Sequence, residues 1–143
     1  MTVRAILAFK GRECLTIAPD ATLAEAAQLM SRHRIGALVI TGAERRVTGI
    51  LSERDIVHTM AEKGDTALLQ PVSSAMTRDV VTCGEDETIP DLMHRMTAGR
   101  FRHVPVVDRE QLAGIVSIGD VVKYRLAELE REQEALREYI ATA

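Results

Sequence analysis

Two stretches of this chain spell nearly the same pattern, and an internal repeat constrains a fold before any single residue does. Thr22–Met30 (TLAEAAQLM) aligns with Thr88–Met96 (TIPDLMHRM) at an offset of 66. Gly49–Asp55 (GILSERD) aligns with Gly114–Asp120 (GIVSIGD) at an offset of 65. One residue is therefore lost in the turn between strands, where length changes are well tolerated. Upstream, Thr16 aligns with Thr82. Two copies of a unit of about 60 residues nearly fill the 143-residue chain. A unit this small buries only about 60% of its unfolded surface alone. The copies are therefore expected to pack on one another and to enclose a cleft with pseudo-twofold symmetry.

Each copy reads as β-α-β-β-α. A short extended segment (Leu15–Ile17; Val80–Thr82) leads to an acidic turn. Thr22 and Thr88 then stand as helix N-caps, with Glu25 and Asp91 three residues on. Glu25 completes a capping box, and Asp91 is a weaker version of it. Pro90 falls in the first helical turn, where its missing N–H costs little. Leu23, Ala26, Ala27 and Met30 form an i, i+3, i+4, i+7 stripe, as do Ile89, Leu92, Met93 and Met96. Two strand-length apolar runs follow in each copy: Ala37–Ile40 with Val47–Leu51, and Val104–Val107 with Leu112–Val116. A second helix is expected from about Ser52 and Ser117. The fold class is thus α/β (α+β): a first repeat with its lead-in over 1–63, a linker over 64–75, a second repeat over 76–127 and a charged helix over 128–143.

The linker reading rests on Gly64, a plausible helix C-cap, and Pro71, which blocks helix continuation. In the final stretch Leu126, Gln133 and Ile140 share one heptad position, while Leu129 and Leu136 share the other. Two heptads are too few to hold a coiled coil alone. The stripe either folds back on the chain's own core or extends a dimer interface, and the second reading is favoured.

Composition narrows the function classes. The net charge is −3, the sequence pI about 5.8, and aromatic residues make up 3% with no Trp. A nucleic-acid binder needs a basic face, and a single-strand binder needs aromatic platforms, so neither is expected. No apolar run approaches the roughly 18 residues of a membrane span. The N-terminal apolar run, Ala5–Phe9, is shorter than the 7–15 residues or so of a secretory core. With only Cys14 and Cys83, two free thiols in a reducing compartment are expected, and the location reads as cytoplasmic.

The turn Gly-h-h-Ser-x-x-Asp, where h is apolar, carries the chemistry. Gly49 and Gly114 lie within strands and let another group approach the backbone closely. Ser52 and Ser117 sit at strand-to-helix turns, with Asp55 and Asp120 three residues on. Ser-x-x-Asp is itself a capping-box pattern, so capping alone explains one copy. The same turn also offers helix N–H groups to a phosphate and a carboxylate to ribose hydroxyls. Both readings stand on the chemistry alone; the mirrored repetition favours the second.

The repeat, the leading Thr, the Val-Pro-Val strand and this turn resemble a tandem pair of cystathionine β-synthase (CBS) domains, a Bateman module, over roughly residues 3–127. The resemblance implies that an adenosine compound (AMP, ADP, ATP, NAD or S-adenosylmethionine) binds between the repeats. It implies that the turn Asp holds ribose, that the Ser helps hold phosphate, and that adenine meets the leading and h-Pro-Val strands partly through backbone. One implied site comprises Thr82, Val104, Pro105, Ser117 and Asp120; the other comprises Thr16, Leu38, Ser52 and Asp55. The first repeat has Val39 where the second has Pro105, so its site departs from the h-Pro-Val pattern. Arg54, Arg102 and His103 are candidate phosphate groups. Such modules commonly pair into a disc, so a homodimer is implied.

Catalysis is not expected. His33, His58, His94 and His103 lack metal-ligand spacing, and no hydrolase, Walker or dinucleotide motif is present. The dehydrogenases that carry CBS pairs need a barrel of about 250 residues, for which this chain has no room. The reading is an adenine-nucleotide sensor that signals to an unidentified partner protein. Its rivals are a constitutive scaffold with an empty cleft and an S-adenosylmethionine sensor.

Overall fold

The computed structural model describes residues 1–142. The first repeat contains β1 (Thr16–Ile17), α2 (Leu23–His33), β2 (Ala37–Thr41), β3 (Val47–Ser52) and α3 (Glu53–Lys63), preceded by a helix α1 (Val3–Lys10). The second contains α4 (Ile89–Gly99), β4 (His103–Asp108), β5 (Gln111–Ser117) and α5 (Ile118–Thr142). The first sheet runs β1-β2-β3, with β1 parallel and β3 antiparallel to β2; the second pairs β4 with β5.

The caps are local and form as the sequence dictates. Thr22 accepts from the Glu25 N–H at 3.1 Å, and Glu25 accepts from the Thr22 N–H at 3.2 Å. Thr88 accepts from the Asp91 N–H at 3.2 Å without the reciprocal bond. Leu23, Ala26 and Met30 pack with Leu38, Ile40, Leu51 and Ile56; Leu92 and Met96 pack with Val104, Val106, Val116 and Val121. The missing residue falls in the hairpin: Ile40 pairs with Gly49 but Val106 pairs with Gly114, so the second loop is shorter by one. Each hairpin carries a register shift at the same place, after Ile40 and after Val106.

Four features depart from the sequence reading. Val80–Thr82 forms no strand; only Cys83 bridges Val106, with the Cys83 N–H donating to the Pro105 carbonyl at 3.1 Å. The lead-in, grouped by chain order with the first repeat, is a helix in the core of the second: Val3, Ile6 and Leu7 are buried against that core. Residues 64–75 do more than link. They form 3-10 turns, and Val72 is buried in the core of the first repeat. The final helix is not separate, since α5 runs unbroken from Ile118 to Thr142. Residue 143, assigned to that helix, lies outside the described residues.

The lead-in segments are exchanged. Leu7, ahead of the first repeat, packs against Gly114 of the second; Met76 and Thr77, ahead of the second, pack against Gly49 of the first. Thr77 also pairs with Ile50, exchanging hydrogen bonds of 3.0 and 2.9 Å. The first N–H groups of α1 have no intrahelical acceptor. Val3 and Arg4 donate theirs to the carbonyls of Glu87 and Glu85, at 2.9 Å each. Arg4 and Arg12 then reach Asp86 and Glu85, at 2.7 and 2.5 Å. Both ends of α1 are thereby fastened to the acidic turn of the second repeat.

Candidate functional site

Both Ser-x-x-Asp turns close as capping boxes. Ser52 accepts from the Asp55 N–H at 3.3 Å, and Asp55 Oδ2 accepts from the Ser52 N–H at 2.8 Å and its hydroxyl at 3.1 Å. Ser117 accepts from the Asp120 N–H at 3.0 Å, and Asp120 Oδ2 accepts from the Ser117 N–H at 2.9 Å. The structural role is therefore filled in both copies. What separates the copies is their surroundings.

A cleft of about 780 Å³ opens beside the second turn. One wall is Ser117, Asp120, Ile115 and His103. The opposite wall belongs to the first repeat: His33, Arg34 and Ile35 where α2 ends, then Gly36 and Ala37 where β2 begins. Lys10, Arg12, Cys14 and Leu15 cross from α1 toward β1, and Arg45 comes from the β2–β3 hairpin. The walls come close at Gly36, where a Cβ would be in ordinary contact with His103 Cε1, at 3.9 Å, and with the Glu53 carboxyl carbon, at 3.7 Å. Arg34 terminates α2 in the left-handed region at φ 54°, and Arg45 holds φ 58° in its turn.

Four cations of the cleft wall, Lys10, Arg12, Arg34 and Arg45, outnumber its two acids, Glu13 and Asp120. Arg12 is paired with Glu85, and Lys10 with Asp120 at 2.5 Å. Arg34 and Arg45 have no ion-pair partner among the described residues. Burial alone pushes the Asp120 carboxyl up, but the Lys10 ammonium and the Ser117 N–H and hydroxyl outweigh it. Its pKa lies below the ordinary value. Burial holds the His103 imidazole below its ordinary value, with Lys10 and Arg102 adding to the effect and Asp120 and Glu53 opposing it. His103 accordingly favours its neutral form.

Of the residues singled out from sequence, the cleft gathers Ser117, Asp120 and His103. Leu38 and Val104 point into the two hydrophobic cores, leaving only their backbone for a ligand. Pro105 is buried, and Thr16 pairs with Val39 in the first sheet. Thr82 presents its carbonyl to Arg95 at 2.8 Å and does not line the cleft. Ser52 and Asp55 occupy the mirrored turn; Arg54 and Arg102 are exposed and outside the cleft wall. The cleft cations are instead Lys10, Arg12, Arg34 and Arg45. The sequence offered one faint signal for them, the alignment of Arg34 with Arg100, which caps α4 in the same left-handed geometry at φ 58°.

No described helix is long and apolar enough to cross a membrane. Comparison with known proteins places the chain. A sequence model of the CBS domain matches residues 6–62 and again 72–127. The crystal structure of the CBS-domain containing protein ATU1752 from Agrobacterium tumefaciens is similar at 50% identity and a TM-score of 0.83, covering 87% of this chain and 92% of that one. The CBS domain pair of protein MJ0100, solved with 5′-methylthioadenosine and S-adenosyl-L-methionine, is similar at 26% identity and a TM-score of 0.79, covering 90% and 98%. A 17.7 kDa protein of Acidianus ambivalens is 38% identical over 108 residues, 75% of this chain, and this chain spans 64% of that protein's length. Two matched repeats, the exchanged lead-ins and the paired Ser-x-x-Asp turns lead to one conclusion: the chain belongs to the CBS-domain family, as a tandem pair.

Proposed function

We propose that this protein is a regulatory sensor that binds an adenine nucleotide (AMP, ADP, ATP or NAD) in the cleft between its repeats. One observation carries the reading: the Ser117–Asp120 turn faces a cleft whose other wall supplies Arg34 and Arg45. The turn offers N–H groups and a carboxylate suited to ribose and phosphate, and the arginines suit a polyphosphate. The adenosine compounds held by the MJ0100 pair support the ligand class. The excess of cations favours phosphorylated ligands over the sulfonium of S-adenosylmethionine.

The output is a change in packing. A ligand that touches both walls binds best to the arrangement that brings them to its own length, and it shifts the population by that difference in affinity. The protein acts as a homodimer in this reading, joined in part through the exposed stripe of α5, and passes the bound state to a partner protein.

Calorimetric titration of the ligand-stripped protein with AMP, ADP, ATP, NAD and S-adenosylmethionine tests the assignment. Saturable binding of a nucleotide is expected, weakened about 10- to 150-fold in Asp120→Ala, which removes charge-assisted hydrogen bonds worth about 1.5–3 kcal/mol. A folded, ligand-free protein that binds none of them would instead be a scaffold.

A further inference from the structure

We propose that Lys10 is a specificity-determining residue of the cleft, one that ties ligand choice to the presence of an anionic group. The proposal rests on the nucleotide reading above and adds a residue and a selection rule to it. Lys10 ends α1, outside both Ser-x-x-Asp turns and ahead of β1. Its ammonium donates to Asp120 Oδ2 at 2.5 Å and to the Ile115 carbonyl at 2.8 Å. The contact is sheltered: the Lys10 and Asp120 side chains are 24% and 19% exposed.

The geometry sets a condition on binding. Asp120 Oδ2 already accepts from Lys10 and from the Ser117 N–H. A ribose diol taken by both carboxylate oxygens brings its second hydroxyl to Oδ2, where it competes with the ammonium and displaces it in this proposal. The departing ammonium keeps the Ile115 carbonyl but loses its counter-ion, in a cleft that already holds Arg34 and Arg45. An unpaired, sheltered charge is unfavourable. A ligand carrying phosphate replaces the lost partner with another anion. Neutral adenosine replaces it with nothing, and S-adenosylmethionine, whose sulfonium and ammonium outnumber its single carboxylate, brings a net positive charge. The ammonium thus moves from the protein's own carboxylate to the ligand's phosphate, and only an anionic ligand restores the charge balance.

The first repeat lacks this device. Asp55 makes the same capping box with Ser52, and among the described residues no cation pairs with it. Selection by charge is therefore a property of the Asp120 side alone, and it comes from the lead-in helix, not from the repeat.

The test is calorimetric titration of the full chain with AMP, adenosine and S-adenosylmethionine, in wild type, Lys10→Met, Lys10→Gln and Lys10→Arg. Met keeps the apolar stem; Gln keeps a donor for the Ile115 carbonyl; Arg keeps the charge. Thermal melts establish that each variant is folded, and Gln carries the comparison if Met is not. Wild type is expected to prefer AMP over adenosine. In Met and Gln that preference should fall about 10-fold or more, through weaker AMP binding with adenosine unchanged or tighter, and Arg should retain it. An AMP-to-adenosine ratio that is the same in the wild type and the neutral variants overturns the role of Lys10 and leaves the sensor reading intact. Wild type binding adenosine or S-adenosylmethionine as tightly as AMP also overturns it. Wild type binding none of the three, nor ADP, ATP or NAD, overturns the sensor reading, and the selection rule with it.

Discussion

Leu7 lies over Gly114 so closely that a Cβ on the glycine would come within 2.9 Å of Leu7 Cδ2. The mirrored contact is tighter: a Cβ on Gly49 would sit 2.5 Å from Met76 Sδ and 3.0 Å from the Thr77 carbonyl oxygen. Glycine inside a strand ordinarily weakens it, so alanine would stabilise an unconstrained position. Here the sign reverses. Gly49→Ala is expected to cost about 1–3 kcal/mol, because a backbone carbonyl cannot turn aside as a side chain does. Gly114→Ala should cost less, since only Leu7 has to give. Urea unfolding checks both, and a Gly49→Ala protein as stable as wild type contradicts the close approach.

Leu7 itself is buried in a core that α1 shares with β4, β5, α4 and α5. Leu7→Ala should lose about 2–5 kcal/mol, the range for emptying a buried leucine site. The loss is expected mainly as unfolding of the second repeat, read by hydrogen exchange as reduced protection in β4 and β5. Deprotection confined to α1 would mean that the helix merely decorates the surface.

His103 gives the stability of the protein a pH dependence. Its folded pKa is held below the unfolded value, chiefly by burial and further by Lys10 and Arg102, against Asp120 and Glu53. Between the two pKa values the unfolded chain binds more protons, so stability rises with pH there. The contribution is complete above the ordinary histidine value of about 6.5 and is lost as pH falls through the folded pKa. His103→Gln should flatten the stability curve just below that value, in urea titrations at pH 5 and 7. An unchanged slope would show that His103 titrates as in the unfolded chain.

The thiols report on the cleft. Burial, with a smaller push from Glu87, raises the Cys83 pKa to about 12, so iodoacetamide at pH 8 should leave it unmodified until the protein unfolds. Cys14 is also raised by burial, but it lines the cleft and is only partly covered. Slow alkylation of Cys14 is expected, slowed further by saturating nucleotide. Mass spectrometry distinguishes the two sites, and equal labelling with and without a bound nucleotide would put the ligand elsewhere.

Along α5, Leu126, Leu129, Leu136 and Ile140 are exposed. The helix does not fold back to cover them. Leu129→Lys with Leu136→Lys should convert a dimer to a monomer in sedimentation velocity at micromolar concentration, without loss of the fold. A wild type that sediments as a monomer removes the dimer from the reading.

How much of this was legible follows from how far each interaction reaches along the chain. Thr22, Thr88, Ser52 and Ser117 announce their caps because donor and acceptor are three residues apart. The helix stripes and hairpins are equally local. Helix α1 escaped notice because its apolar run is only five residues long, and Lys10 meets its partner Asp120 across 110 positions. Val72 was hidden in the same way, inside a stretch whose Gly64 and Pro71 spell a connection. The cleft chemistry split along the same line. Ser117 and Asp120 were readable as a motif, whereas Arg34 and Arg45 enter the cleft through left-handed backbone at a helix end and a turn, which no periodicity marks.

The exchange of lead-in segments has a consequence for the order in which this protein is made. The hydrophobic core of the first repeat is complete once Thr77 has left the ribosome, because every residue in it has by then been synthesised. Helix α1 emerges before the first repeat, yet its neighbours Gly114 and Tyr124 belong to the second. Val3, Ile6 and Leu7 therefore stay without their partners while the whole first repeat is made. The nascent chain carries an uncovered apolar face on α1, of the kind that invites aggregation or chaperone capture, until α5 arrives to cover it.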